Sequence, residues 1–239
     1  MKRTHKTRRS IIAFIVFVIA ALIIAYHPNL QQPTVSPPQT PSTTIANASG
    51  DAAEALEKLR VAGRAPKTGD SEYNRTHFGD GWETELGCDS RNRILQRDLT
   101  NVQTDEEGCK VVSGQLNDPY TGKVVMFTRG SSTSDDVQID HVVALSNAWQ
   151  TGAQALTYEQ RVQFANDPLE LLAVDGPTNQ QKSDADAATW LPPYKPFRCQ
   201  YVARQIAIKA KYQLWVTAAE KDAMFRVLST CPGQELPTQ

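Results

Sequence analysis

Apolar residues along this chain follow three different patterns. The first is unbroken: Ile11–Tyr26 (IIAFIVFVIAALIIAY) is uncharged and almost wholly apolar over sixteen positions. The second is nearly blank. His27–Gly50 is rich in Pro, Ser and Thr, cannot bury a core, and reads as an extended tether. The third, over residues 51–232, shifts between helical and strand spacing and predicts one α+β domain.

Within that domain, Asp51–Ala62 sets Ala52, Ala55, Leu56 and Leu59 on one helical face and runs into Gly63, a residue suited to a helix end. Ala65–Gly87 scatters Gly, Pro and aromatics and predicts an ordered loop region. Asp89 can cap a helix through Arg91, Ile94, Leu95 and Leu99. Two β-prone runs, Lys110–Leu116 and Lys123–Thr128, flank the turn-forming Asn117–Gly122 and predict a hairpin. Val137–Leu145 predicts a further strand, and Thr157-x-x-Gln160 a capping box for a helix near Tyr158–Ala165. Leu169–Val174 reads as a buried strand, broken by Asp175-Gly176-Pro177, after which Thr178 can cap a helix starting near Asn179. Ala203, Ile206, Ala207, Ala210 and Leu214 form a helical stripe. Thr217-x-x-Glu220 opens a last helix that turns Met224, Val227 and Leu228 inward.

Charge and cysteine content place the domain in a compartment. Lys2, Arg3, Lys6, Arg8 and Arg9 precede the apolar run, so residues 1–26 form a signal peptide or a membrane anchor. The run falls slightly short of the about 20 residues of a spanning helix. Tyr26-His27-Pro28-Asn29 offers no small-x-small cleavage site, which favours an anchor with its basic end inside. Either way residues 51–232, with a short tail at 233–239, are expected outside the cytoplasm, anchored in the membrane or secreted. No protein partner is evident. Without the five N-terminal cations, 20 basic residues face 26 acidic ones, a net charge of −6. That balance excludes a broadly basic, polyanion-binding surface, so any nucleic-acid contact must come from a local basic strip or a metal. Outside the cell, four cysteines suggest two disulfides. Three pairings are open; Cys88–Cys109 and Cys199–Cys231 are favoured because each closes a short loop within one subregion. A four-cysteine zinc site is disfavoured by the lack of any C-x-x-C spacing.

The chemistry concentrates at Asp140-His141, a carboxylate and an imidazole inside an otherwise apolar stretch. On a strand the two side chains point to opposite faces. Asp140 suits a metal ligand and His141 a general base. A helix that follows a hairpin returns Asn179 to the first strand, so Asp140 and Asn179 could share one cation. Two oxygen ligands and several waters suit Mg²⁺. Neutral His141 could then take a proton from an attacking water. Lys182 and Asp184 follow one turn on, as surface or supporting residues. The acid-free stretch Ala187–Ala219 interleaves cations, among them Lys195 and Arg198, with aromatics and is a candidate nucleic-acid surface.

The segments IDHVVALSNAW, ANDPLELLAV, TNQQKSD and ATWLPP together resemble bacterial HNH endonucleases with a ββα-metal (His-Me finger) site. The likeness is closest to exported proteins whose nuclease domain is related to the C-terminal domain of the GmrSD restriction enzyme. It spans about Val61–Cys231 and includes GRAPKTG, GCDSRNRILQRDL and DPYTG. It implies a ββα-metal HNH core with surrounding helices and an extra β-hairpin, a divalent metal such as Mg²⁺, and DNA in preference to RNA as substrate. It implies Asp140 and Asn179 as metal ligands, His141 as general base and Arg91 as a phosphate contact, with Lys182 in the same motif as Asn179. The residue that steadies the histidine, usually Asn, falls by its offset at Glu170; Asn166 is the other candidate. That departure keeps open a second reading, a cell-surface nucleic-acid-binding protein with impaired catalysis on the same scaffold.

Overall fold

Capping residues in the sequence account for most helix starts. In a computed structural model, which describes residues 48–237, the Asp89 carboxylate accepts the Asn92 N–H and starts α2 (Ser90–Asp98). Thr157 and Gln160 form a reciprocal capping box on α4 (Tyr158–Asn166), and Thr217 and Glu220 do the same on α7 (Ala218–Leu228). α1 (Asp51–Lys58) is shorter than its periodicity predicts. Beyond it Leu59 turns extended, and Val61 forms a parallel bridge with Val216, so strand-like pairing takes the backbone groups that another helical turn would have used. α6 (Arg198–Lys211) buries Tyr201, Val202, Ala203 and Ile206 against α1 and α7.

Three antiparallel sheets complete the fold. The shortest pairs β1 (Thr84–Glu85) with β2 (Cys88–Asp89). The second holds β3 (Leu99–Thr104), β4 (Val111–Asn117) and β5 (Val124–Thr128) in that order. The predicted hairpin is β4–β5, whereas β3 escapes a pattern-based reading because Leu99 is its sole fully buried residue. The third sheet pairs β6 (Val137–His141) with β7 (Leu171–Asp175), and α5 (Gly176–Lys182) follows directly. The strand expected to reach Leu145 stops at His141, and Leu145 opens the fully buried helix α3 (Leu145–Gln150). A run that is apolar on every side carries no period, so it cannot reveal where strand gives way to helix.

The β6–β7 ladder lies between two layers. Ile139, Leu171 and Ala173 face α2 and the three-stranded sheet, while Leu172 and Val174 face α6 and α7. Asp140 pairs with Leu172 in register and therefore points to the α6 side, where Tyr120 lies in the core. The helix after β7 starts earlier than expected: Asp175, rather than Thr178, is the cap, receiving the Thr178 N–H at 2.9 Å. Gly176 is required here, since a Cβ would lie 1.9 Å from the Asp135 carbonyl oxygen.

Disulfides join Cys88 to Cys109 and Cys199 to Cys231, tying the start of α2 to the β3–β4 turn and the start of α6 to the end of α7. Residues assigned by sequence to linker and tail join the folded unit at its edge. Gly233 donates to the Ser49 carbonyl, and Leu236 packs on the α1/α6/α7 core. Among the described residues no helix is long and apolar enough to cross a membrane; the expected anchor lies outside them.

Candidate active site

The β6 end, the β4–β5 turn and α5 converge on one carboxylate. Asp118, 1% exposed, receives the Thr121 N–H at 2.7 Å within its own turn and the Asp175 N–H at 2.9 Å from the end of β7. This double anchor carries Tyr120 into the core, where its hydroxyl donates to Asp140 Oδ2. From the last turn of α5, the fully buried Lys182 ammonium donates to Asp140 Oδ1 at 2.9 Å and to the His141 carbonyl at 2.8 Å. Burial raises the Asp140 carboxyl from its ordinary value, while Lys182 and Tyr120 oppose that shift by favouring the ionised form.

His141 is held by the main chain. Its Nε2 donates to the Ala165 carbonyl at 3.0 Å, an arrangement that leaves Nδ1 as the unprotonated acceptor. Trp82 lies nearly parallel to the imidazole, 6° between planes and 5.6 Å between centroids. Burial, reinforced by the positive charge of Arg75, lowers its pKa to about 3, so the ring is neutral at physiological pH.

Asp140 and His141 open onto a cleft of ≈ 410 Å³, together with Arg75, Arg91, Asn179 and Asp184. Asn179 donates through Nδ2 to Gln138 Oε1 at 3.0 Å, so its amide oxygen remains available. Arg91 reaches the cleft while donating to the Ser134 and Val137 carbonyls, both at 3.1 Å. Arg75 is exposed and forms no ion pair among the described residues. Asp184 receives Lys67 at 2.7 Å and Ser146 at 3.0 Å; Lys67, with Ser146, holds its carboxyl below the ordinary value.

Residues 89–227 match the C-terminal domain of GmrSD restriction endonucleases. An Arthroderma benhamiae protein named "Uncharacterized secreted protein" is 40% identical over 202 residues, which is 83% of this chain and 91% of its own length. The chain belongs to the GmrSD C-terminal domain family. No solved structure matches it. The relative is fungal, so the likeness reaches beyond the bacterial proteins that the motifs suggested.

In this GmrSD-type domain the structure gathers Asp140, His141, Asn179 and Arg91 in one cleft and sorts the other expected residues differently. Glu170 makes no hydrogen bond to the His141 ring. It is fully buried, its carboxylate receives the Val143 N–H at 3.2 Å, and burial pushes its pKa well above the ordinary value. Asn166 does not steady the ring either, because its amide bridges the Glu83 N–H and the Val162 carbonyl. The neighbouring Ala165 carbonyl makes that contact, and backbone groups leave no residue-type signal. Lys182, expected at the surface or in support, lies fully buried behind Asp140.

Lys195 and Arg198 line a separate groove with Leu191 and Arg226, apart from the cleft. Other cations of that stretch are consumed internally. Lys209 pairs with Glu220 at 2.8 Å, Lys211 with Asp167 at 2.6 Å, and Arg204 donates to the Leu169 carbonyl at 2.6 Å. Tyr120, Arg75 and Trp82 are the site residues that pattern reading missed. Tyr120 sits inside DPYTG, a motif already part of the resemblance, whereas Arg75 and Trp82 lie in the irregular segment before β1, where no periodicity marks them.

Proposed function

We propose that this domain is a metal-dependent HNH endonuclease of ββα type that hydrolyses phosphodiester bonds of DNA outside the cytoplasm. The carrying observation is the His141–Ala165 hydrogen bond, which presents a neutral imidazole with Nδ1 free to accept a proton beside Asp140 and Asn179. The antiparallel β6–β7 pair followed at once by α5 supports the ββα reading. Membership of a restriction-endonuclease domain family supports phosphodiester hydrolysis. The basic-then-apolar N-terminus, the two disulfides and a relative named as secreted support export.

The donor set fits a hard divalent cation such as Mg²⁺. Ionised Asp140 has about four lone-pair sites; Lys182 and Tyr120 occupy two of them. The Asn179 amide oxygen supplies a second protein ligand. Two protein oxygens suit an ion that keeps much of its water. When bound, such an ion offsets negative charge developing on the phosphate oxygens. His141 accepts the proton of the attacking water at Nδ1, Ala165 fixes the ring, and Arg75 and Arg91 hold the phosphate. Mg²⁺-dependent nicking of supercoiled plasmid by the full-length protein tests the reading. His141→Ala is expected to abolish it, and undiminished cleavage by that variant sinks the mechanism. The occupation of both Asp140 oxygens favours the second reading, a nucleic-acid-binding protein without turnover. That reading requires DNA binding in chelator and no nicking with any divalent cation.

A further inference from the structure

His141 separates two cavities. One is the cleft just described; the other, of ≈ 180 Å³, is lined by Arg75, Phe78, Trp82, His141 and Ala165 and has the bare backbones of Gly79 and Gly81 in its wall. Arg75 and His141 belong to both, so a group in the smaller cavity lies next to anything held in the cleft. The two cavities differ in chemistry. Carboxylates and amides line the cleft, whereas the smaller one has two aromatic rings and no carboxylate in its wall.

Resting on the nuclease reading, we propose that the smaller cavity is a subsite for one unpaired nucleobase flanking the phosphate in the cleft, and that the preferred substrate is single-stranded. A planar heterocycle can stack on the half-buried Trp82 indole in this narrow space, whose floor the buried Phe78 helps to form; a base pair cannot enter it. Arg75 suits the junction, since a guanidinium can clasp a phosphate on one side and stack against a base on the other. It is exposed and free of ion pairs among the described residues, and so available for both. Gly79, at φ +101°, is in a conformation that favours glycine, so the turn that runs along this wall depends on it. A duplex would first have to expel the base from its stack, at a cost of about a few kcal/mol, whereas a single strand need not.

The test is binding in chelator, which does not depend on hydrolysis. The affinity of the full-length protein is measured for a labelled thymidine oligonucleotide, an abasic strand of the same length and a duplex. Base stacking is worth about 5- to 150-fold in affinity. The base-bearing strand is therefore expected to bind tighter than the abasic strand by that factor, and tighter than the duplex. Trp82→Ala erases the difference between base-bearing and abasic strands, and Trp82→Phe, which keeps a ring, retains most of it. Equal affinity for base-bearing and abasic strands, loss of both by the same factor in Trp82→Ala, or a duplex bound as tightly as the single strand overturns the subsite. A protein that shows base-dependent binding but, with Mg²⁺, cleaves neither plasmid nor the single-stranded oligonucleotide keeps the subsite and loses the nuclease reading. One that nicks plasmid without base-dependent binding loses the subsite alone.

Discussion

The Lys182 ammonium, fully buried, lies 2.9 Å from Asp140 Oδ1 and closes the back of the carboxylate that faces the cleft. A lysine without solvent contact requires a partner, and this one has two, Asp140 and the His141 carbonyl. The contact joins the last turn of α5 to the end of β6, so the helix that carries Asn179 cannot move independently of the strand that carries Asp140 and His141.

Removing one member of a buried pair leaves the other uncompensated, at about 3–5 kcal/mol. Lys182→Met is accordingly expected to lower the unfolding free energy by that amount in urea titrations. Adding Asp140→Leu to it should recover part of the loss. A cost for Lys182→Met below about 1 kcal/mol would show that the pair does not hold these elements together.

The His141 pKa shift carries a signed pH dependence in metal-free protein. With a folded value of about 3 against an ordinary 6.5, the imidazole gains its proton first in the unfolded chain. Its contribution to stability is complete above the unfolded value and is lost as pH falls through the window from 6.5 towards 3. The slope is roughly 1.4 kcal/mol per pH unit. Between pH 7 and 5, in chelator, the wild-type protein should lose roughly 2 kcal/mol more than His141→Gln. Equal losses in the two proteins would place the histidine in a more solvated setting.

Arg75 and Lys195 separate two possible routes for DNA. Arg75 lines the cleft beside His141, whereas Lys195 lines the groove with Arg226. If the phosphate backbone runs through the cleft, Arg75→Ala weakens DNA binding and reduces the log K against log salt slope by about 1. Lys195→Ala leaves that slope unchanged. The reverse result would move the backbone to the other groove.

Sequence separations of 21 and 32 residues make each disulfide worth about 3–4 kcal/mol in the chain-entropy picture. Together they approach the about 5–15 kcal/mol of a whole domain. Cys199→Ser with Cys231→Ser should lower the urea midpoint markedly, and full reduction should unfold most of the protein at 37 °C. A reduced chain that stays folded and active would show that the two disulfides contribute far less than this.

Much of the fold was legible because its signals are local. The capping boxes at Thr157 and Thr217, the Asp89 cap and the β4–β5 hairpin around DPYTG each depend on residues a few positions apart. The polar strand β3 and the change from strand to helix after His141 were not legible, since a mostly exposed strand and a wholly buried run both lack amphipathic alternation. Within the site, Asp140, His141 and Asn179 stood out as polar groups in motif positions, and Lys182 was visible as a residue but not as a buried one.

By itself the sequence determined the reactive inventory: an acid and an imidazole on one strand, an amide on the following helix, and four cysteines behind an N-terminus patterned for export. Tertiary structure decided what each group faces. It placed Tyr120 and Lys182 on the two oxygens of Asp140, gave the steadying of His141 to the Ala165 carbonyl instead of Glu170 or Asn166, and moved Lys195 and Arg198 to another groove. The physical reason is common to all of these. Partners separated by 20 to 42 positions meet through packing of layers, and a main-chain carbonyl has the same chemistry at every residue.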